Sequence, residues 1–218
     1  MTEAVQRYIE ANIDAINAQD WERIYSDKRI PPKFTSVLLE CGINPLEQGL
    51  TYIPYKFLHE DDFEQFTIPE DINLIEVGAF WACAKLKQIE LPANILEIPP
   101  RCFYVCESLK KVDILGQITS IGASAFGFCV KLQSISLPQS LIVINQGAFT
   151  DCNALKTLII PDNVTTIDSY AFQYCSSLES ISLPANIKSL GESIFTRCNK
   201  LKQIEYRGTK DQFRSSCL

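Results

Sequence analysis

Apolar side chains return along this chain every 23 residues. Phe57, Phe80, Phe103, Phe126, Phe149, Phe172 and Phe195 keep that spacing without insertion or deletion, and so do Cys83, Cys106, Cys129, Cys152, Cys175 and Cys198. Leu86, Leu109, Leu132, Leu155, Leu178 and Leu201 each follow a Cys by three residues, while the first unit is degenerate, with Glu60 and Phe63 in the Cys and Leu places. A fixed period of this length means that each unit is one supersecondary element. It cannot bury its apolar side alone, so neighbouring units must stack.

Further columns fill the unit. Ile89, Val112, Ile135, Leu158, Ile181 and Ile204 are followed two residues later by Leu91, Ile114, Leu137, Ile160, Leu183 and Tyr206. The resulting L-x-x-I-x-L alternation predicts a short strand with these side chains inward. Pro69, Pro92, Pro138, Pro161 and Pro184 end that strand by withholding a ladder N–H, with Leu115 and Arg207 interrupting the column. Ile95, Ile118, Leu141, Val164 and Ile187 then precede Ile98, Ile121, Ile144, Ile167 and Leu190 by three residues. Glu76, Pro99, Gly122, Asn145, Asp168 and Gly191, mostly turn-tolerant residues, predict a corner before the A-F segment. The unit reads I-x-x-I-x-x-x-A-F-x-x-C-x-x-L-x-x-I-x-L-P, one turn of a coil whose strands stack about 4.8 Å apart in a parallel sheet.

Units such as ITSIGASAFGFCVKLQSISLP and VTTIDSYAFQYCSSLESISLP resemble the leucine-rich repeats of the BspA-like (Treponema pallidum-type) class, over about residues 46–207. Tyr206, Gly208, Thr209, Lys210, Gln212 and Phe213 are similar to the Y-x-G-T-K-x-Q-W ending of such proteins, with Phe213 in the Trp place. The resemblance implies an α+β solenoid, a right-handed leucine-rich repeat coil with short parallel strands on its concave face. About seven coils over residues 45–207 are expected between a helical N-terminal cap over 1–44 and a C-terminal cap over 208–218.

An open coil exposes apolar rings at its ends, which caps must cover. Val5, Tyr8, Ile9, Ile13, Ile16 and Ile24 fall at three- and four-residue steps, predicting an amphipathic helix over 2–25 with Thr2 as its N-cap. A second helix is predicted from about Pro32 to Cys41, with Gly42 just beyond its end. The leader around Trp21, LLECGINPLE and LTYIPYKFL is similar to those of small leucine-rich repeat proteins from bacteria and prophage-like regions.

Composition narrows the function. Apolar residues make up 46% of the 218 and charged residues 21%, with net charge −6. No apolar run approaches a membrane span and no Lys/Arg cluster offers an electrostatic footprint for nucleic acid, so neither partner is expected. The N-terminal segment lacks the apolar core of an export signal, which makes a reducing, cytoplasmic setting the expectation.

Nine cysteines invite a metal or redox reading, yet no C-x-x-C pair occurs. Six of them stand at the repeat period, where adjacent coils would hold their Cβ vectors parallel, poor geometry for a disulfide. They are expected to be reduced core residues, like Cys102 in the column of Ala79, Ala125, Ala148 and Ala171. The single His59, and the lack of G-x-S-x-G, a phosphate-binding glycine loop or H-E-x-x-H, argue against an enzyme. No metal or cofactor is expected. The acidic group Glu60, Asp61, Asp62 and Glu64 reads as a solvated edge, and Asn163-Val164-Thr165 as a silent glycosylation sequon.

In leucine-rich repeat proteins the outward strand residues form the usual protein-binding face. Here these are Gln65 and Thr67, Gln88 and Glu90, Lys111 and Asp113, Ser134 and Ser136, Thr157 and Ile159, Ser180 and Ser182, and Gln203 and Glu205. An alternative surface is an aromatic row of Trp81, Tyr104, Phe128 and Tyr174 between the Phe and Cys of their coils. Residues 60–97 carry nine acidic and two basic side chains, residues 185–218 three acidic and seven basic. That asymmetry allows weak head-to-tail self-association of an otherwise monomeric chain. The leading expectation is therefore a non-enzymatic module that binds a protein through the concave face. The alternatives are a phage or mobile-element protein that inhibits a host enzyme or defence protein by docking, and an enzyme with its site in the N-terminal region.

Overall fold

The computed structural model describes residues 2–58 and 63–209. Four short helices open the chain: α1 (Glu3–Ala11), α2 (Ile13–Asn17), α3 (Trp21–Tyr25) and α4 (Phe34–Glu40). The single helix expected over 2–25 is broken into three. Asn12 turns its side-chain amide back onto the Tyr8 carbonyl at 2.9 Å, Gln19 adopts a left-handed φ of 55°, and Asp20 restarts the chain by accepting from the Arg23 N–H at 3.3 Å. Each break resets the helical phase, so Val5, Ile16 and Ile24 are buried whereas Ile13 faces solvent. Thr2 caps α1 as expected, its hydroxyl accepting from the Val5 N–H. The second predicted helix starts two residues later than Pro32, because Lys33 is left-handed, and it stops before Gly42.

The L-x-x-I-x-L segments form the first wall: β1 (Gln65–Thr67), β2 (Gln88–Leu91), β4 (Lys111–Ile114), β6 (Ser134–Ile135), β8 (Thr157–Ile159), β10 (Ser180–Leu183) and β12 (Gln203–Tyr206). All pairings are parallel and advance by one repeat, from Gln65 against Gln88 to Ser180 against Gln203. The ladder is interrupted between β6 and β8, which lie side by side. The I-x-x-I segments form a second sheet, of β3 (Glu97–Ile98), β5 (Ser120–Ile121), β7 (Val143–Ile144), β9 (Thr166–Ile167) and β11 (Ser189–Leu190). Strands of two residues are too short to show alternation, which is why the sequence pattern does not announce them.

The A-F-x-x-C segments close the coil. Left-handed residues fall at two places per coil, the first at the corner between the I-x-x-I and A-F segments, two residues beyond Glu76 and its equivalents. Gly78, Arg101, Ser124, Gly147, Tyr170 and Ser193 are left-handed, as are Ala82, Val105, Phe128, Asp151, Tyr174 and Arg197. A left-handed residue with a side chain costs about 1–2 kcal/mol, and the hydrogen bonds account for its use here. Left-handed residues on either side of the Phe aim three alternate N–H groups at the next coil. Thus Ser124, Phe126 and Phe128 donate to Gln146, Ala148 and Thr150 at 2.8–2.9 Å, and Gly147, Phe149 and Asp151 to Ser169, Ala171 and Gln173 at 2.8–3.0 Å. The intervening N–H groups bond back within the coil, as Gly127 does to Ser124 and Cys129 to Phe126.

Inside, the Phe column is a stack. Phe80, Phe103, Phe126, Phe149, Phe172 and Phe195 lie 5.2–5.9 Å apart with interplanar angles of 9–13°. At the N-terminal end Phe66 inserts between Phe57 and Phe80, at 5.9 and 6.0 Å, and Phe57 meets Tyr25, which meets Phe34, which meets Tyr8. One row of touching rings therefore runs from helix α1 to the last coil, and it welds the helices to the solenoid as a cap.

The cysteine column also lies inside. Each thiol donates to a carbonyl of the preceding coil: Cys106 to Phe80, Cys129 to Phe103, Cys152 to Phe126, Cys175 to Phe149 and Cys198 to Phe172, at 3.0–3.3 Å, and Cys83 to Leu58. These bonds go beyond the role of small core hydrophobes expected from the repeat period. Burial pushes the thiols of Cys102, Cys106, Cys129 and Cys152 up, so they stay protonated. Cys41, by contrast, is exposed. A variant with Cys41→Ser and Cys217→Ser is therefore expected to show no fast thiol with Ellman's reagent when folded and seven after denaturation. Rapid modification of several thiols in the folded variant would contradict the inward column.

Candidate functional site

Two surfaces reach solvent with a repeating chemistry, and the backbone positions each. On the first wall the buried Ile89, Val112, Ile135, Leu158 and Ile181 anchor the strands, which turns the residues on either side of them outward. Gln88, Glu90, Lys111, Ser134, Ser136, Thr157, Gln203 and Glu205 are exposed, while Asp113, Ser180 and Ser182 are partly so. The parallel register sets them in two columns, one from Gln65 through Lys111 to Gln203, the other from Thr67 through Asp113 to Glu205.

The face is not uniform. Lys111 and Asp113 neutralise each other in a 2.6 Å ion pair, and Lys87 pairs with Glu64 at 2.6 Å, which holds the Glu64 carboxyl below its ordinary range. Short Ser and Thr side chains occupy the middle coils. Among them stands Ile159, 72% exposed, the most exposed of the large apolar side chains among the described residues. It lies on β8 beside the gap in the ladder.

At the rim of this wall Arg207 replaces the proline of earlier coils and reaches back across two of them. Its guanidinium donates to Asp162 at 2.7 and 3.1 Å, to the Ser182 hydroxyl at 2.6 Å and to the Ile160 carbonyl at 2.5 Å. Proline has no side-chain donor, so the break in the repeat converts a strand terminator into a clamp on the last coils.

The aromatic row splits into two columns. Trp81 and Tyr104 stand one residue before the left-handed position, and Phe128 and Tyr174 occupy it. Trp81 meets Tyr104 edge-on at 6.1 Å and Tyr104 meets Phe128 at 5.4 Å, with the Lys56 ammonium 5.4 Å from the Trp81 ring and 5.3 Å from that of Tyr55. Trp81 and Tyr104 are half-buried against the wall, and a Cβ on Gly127 would lie 3.0 Å from the Tyr104 ring. Phe128 and Tyr174 are 39% and 44% exposed, but they are two coils apart. These rings cover the coil wall more than they present a joint surface.

Among the described residues no group of three or more His, Cys, Asp or Glu side chains is arranged to hold a metal ion. No described helix is long and apolar enough to cross a membrane. Glu60, Asp61, Asp62, Phe213 and Cys217 lie outside the described residues.

Comparison with known proteins follows the coil. Residues 51–175 and 97–218 match the model of the BspA type leucine rich repeat region, with six copies. Nothing among curated proteins matches the sequence. Of solved structures, a leucine-rich repeat protein of T. pallidum is 28% identical at a TM-score of 0.63, with 71% of this chain and 82% of that one covered. A leucine rich cell surface protein from Faecalibacterium prausnitzii is 25% identical at 0.61, covering 77% of this chain and 54% of the other. A leucine-rich repeat protein from Bacteroides ovatus is 34% identical at 0.61, over 64% of this chain and 39% of that one. Against the last two, this chain spans about half of the partner structure or less. The 23-residue coil with its Phe and Cys columns, its parallel strands and the match over most of its length together assign the chain to the BspA-type leucine-rich repeat family.

Proposed function

We propose that this chain is a non-enzymatic protein-binding module that engages its partner across the outward face of the first wall. The observation that carries the reading is Ile159. A large apolar side chain exposed at the middle of a trough of short polar ones gives a partner an anchor that it can desolvate, with room around it to approach. The in-register columns on either side supply hydrogen-bonding groups at about 4.8 Å steps, one pair per coil.

The test uses the partner captured from lysate by the parent chain. Ile159→Arg is expected to weaken that complex at least 100-fold, and Ser180→Arg to weaken it less. The melting temperature should change little, because Ile159 is mostly exposed and contributes little buried area. Retention of the partner by Ile159→Arg would contradict this reading. Loss on Val37→Glu instead would place binding at the groove of about 400 Å³ between α1, α4 and Phe63.

A further inference from the structure

The corner between the second sheet and the A-F segments carries a notch in the central coils. The left-handed column there runs Gly78, Arg101, Ser124, Gly147, Tyr170 and Ser193, one residue per coil. Arg101 and Tyr170 stand three coils apart, about 14 Å at ~4.8 Å per step. Between them come a short Ser124 and Gly147, which has no side chain. The opening is a cavity of about 610 Å³, within the roughly 300–1,000 Å³ of small-molecule sites. A Cβ on Gly147 would lie 3.1 Å from Oγ1 of Thr150 and 3.5 Å from Oγ of Ser124, so two hydroxyl oxygens border the place that a side chain would fill.

The floor is rigid and its backbone is already engaged. The N–H groups of Arg101, Ser124, Gly147, Thr150, Tyr170 and Gln173 all donate to carbonyls of their own or the next coil, at 2.9–3.0 Å. The Thr150 hydroxyl also donates to the Tyr170 carbonyl at 3.0 Å. An extended peptide therefore finds no free ladder to join here, and recognition falls to side chains. Gln146 and Gln173 offer amides that both donate and accept, and Ser124 a hydroxyl that does the same. Arg101 is the charged group of the lining, and among the described residues it has no carboxylate partner. Val77, Pro100 and Ala123 edge one side with apolar surface, and Tyr170 contributes its ring.

We infer that this notch binds a saccharide unit that bears a carboxylate, a uronic acid. Ring hydroxyls are donors and acceptors at once, as the amides and hydroxyls of the notch are. The carboxylate is planar and matches the fork of the Arg101 guanidinium, while the C–H faces of the ring lie against Tyr170 and the apolar edge. The lining shares no residue with the first wall that carries Ile159, so the two sites are independent.

Titration of the isotope-labelled full chain with methyl glucuronide, methyl glucoside and acetate, read by NMR, tests this. The glucuronide is expected to give saturable shifts at the amides of Ser124, Gly147, Thr150 and Gln173, and to bind about tenfold tighter than the glucoside, the gain of one charge-assisted pair. Arg101→Gln should make the two sugars equal. Gly147→Gln should abolish binding of both with the fold kept, since Arg101, Ser124 and Tyr170 already hold side chains in this conformation, and melting checks that. Ile159→Arg should change nothing. Tighter binding of a glucuronate-ended trisaccharide would make a glycan chain the source of the unit, and equal binding a free sugar acid, both in support. The proposal is overturned if the glucuronide leaves these amides unmoved or still binds folded Gly147→Gln. Acetate that binds as tightly would reduce the notch to an anion site, and a Glu-rich peptide that binds it more tightly than the glucuronide would assign it to a protein partner, each overturning the proposal.

Discussion

Replacing Phe149 with alanine lowers the unfolding free energy by about 3–5 kcal/mol, the usual cost of emptying an aromatic site in a packed core. The ring is fully buried and stacked on both sides, 5.2 Å from Phe126 and 5.5 Å from Phe172. Neighbouring coils cannot collapse into the gap without breaking the bonds that Phe126 and Phe149 make to Ala148 and Ala171, both 2.8 Å. Because a solenoid unfolds as a sum of nearest-neighbour terms, the loss falls on two interfaces at once and also weakens cooperativity between the halves. Urea melts of parent and variant measure it. A change under about 1 kcal/mol would contradict the stacked position of this ring.

Alkaline pH destabilises the fold. The thiols of Cys102, Cys106, Cys129 and Cys152 are held protonated by burial, with their ionisation pushed above the ordinary value of 9.0. In the unfolded chain they ionise near that value. Above it the unfolded state binds fewer protons than the folded one, so stability is complete below about pH 9 and falls as pH rises further. Each thiol removes stability between pH 8 and pH 10, on the order of 1 kcal/mol, and the four losses add. Urea melts at the two pH values measure the drop, and in Cys106→Ala with Cys129→Ala it should shrink by about half. An equal drop in that variant would show that other groups carry it.

The coil itself was legible because its columns are a physical requirement. A side chain that must touch its own equivalent in the next turn is copied every 23 residues, and Phe, Cys, Leu and Ile were copied. The strands of the first wall followed from alternation, as did the outward residues from Gln88 to Glu205. Three features were not legible. The second sheet has strands of two residues, below the length at which alternation shows. The left-handed positions are held by Gly, Arg, Ser, Tyr, Ala, Val, Phe and Asp, since backbone bonding between coils, not residue preference, imposes them. The division of the N-terminal helix depends on the Asn12 side chain and on Gln19, neither of which breaks a helix by identity alone. At the candidate face, sequence gave the outward columns but not their weighting. Ile159 is one of fourteen outward residues in the sequence pattern, and its exposure and its place beside the gap in the ladder set it apart.

Amide hydrogen exchange followed by NMR tests the stacked coil most directly. Phe80, Phe103, Phe126, Phe149 and Phe172 each donate their N–H to the following coil at 2.8–3.1 Å, whereas Phe195 has no such acceptor among the described residues. Slow exchange is expected at the first five positions, repeating every 23 residues. Protection without that period, or amides at Phe126 and Phe149 that exchange as fast as those of exposed turns, would contradict the stacked coil.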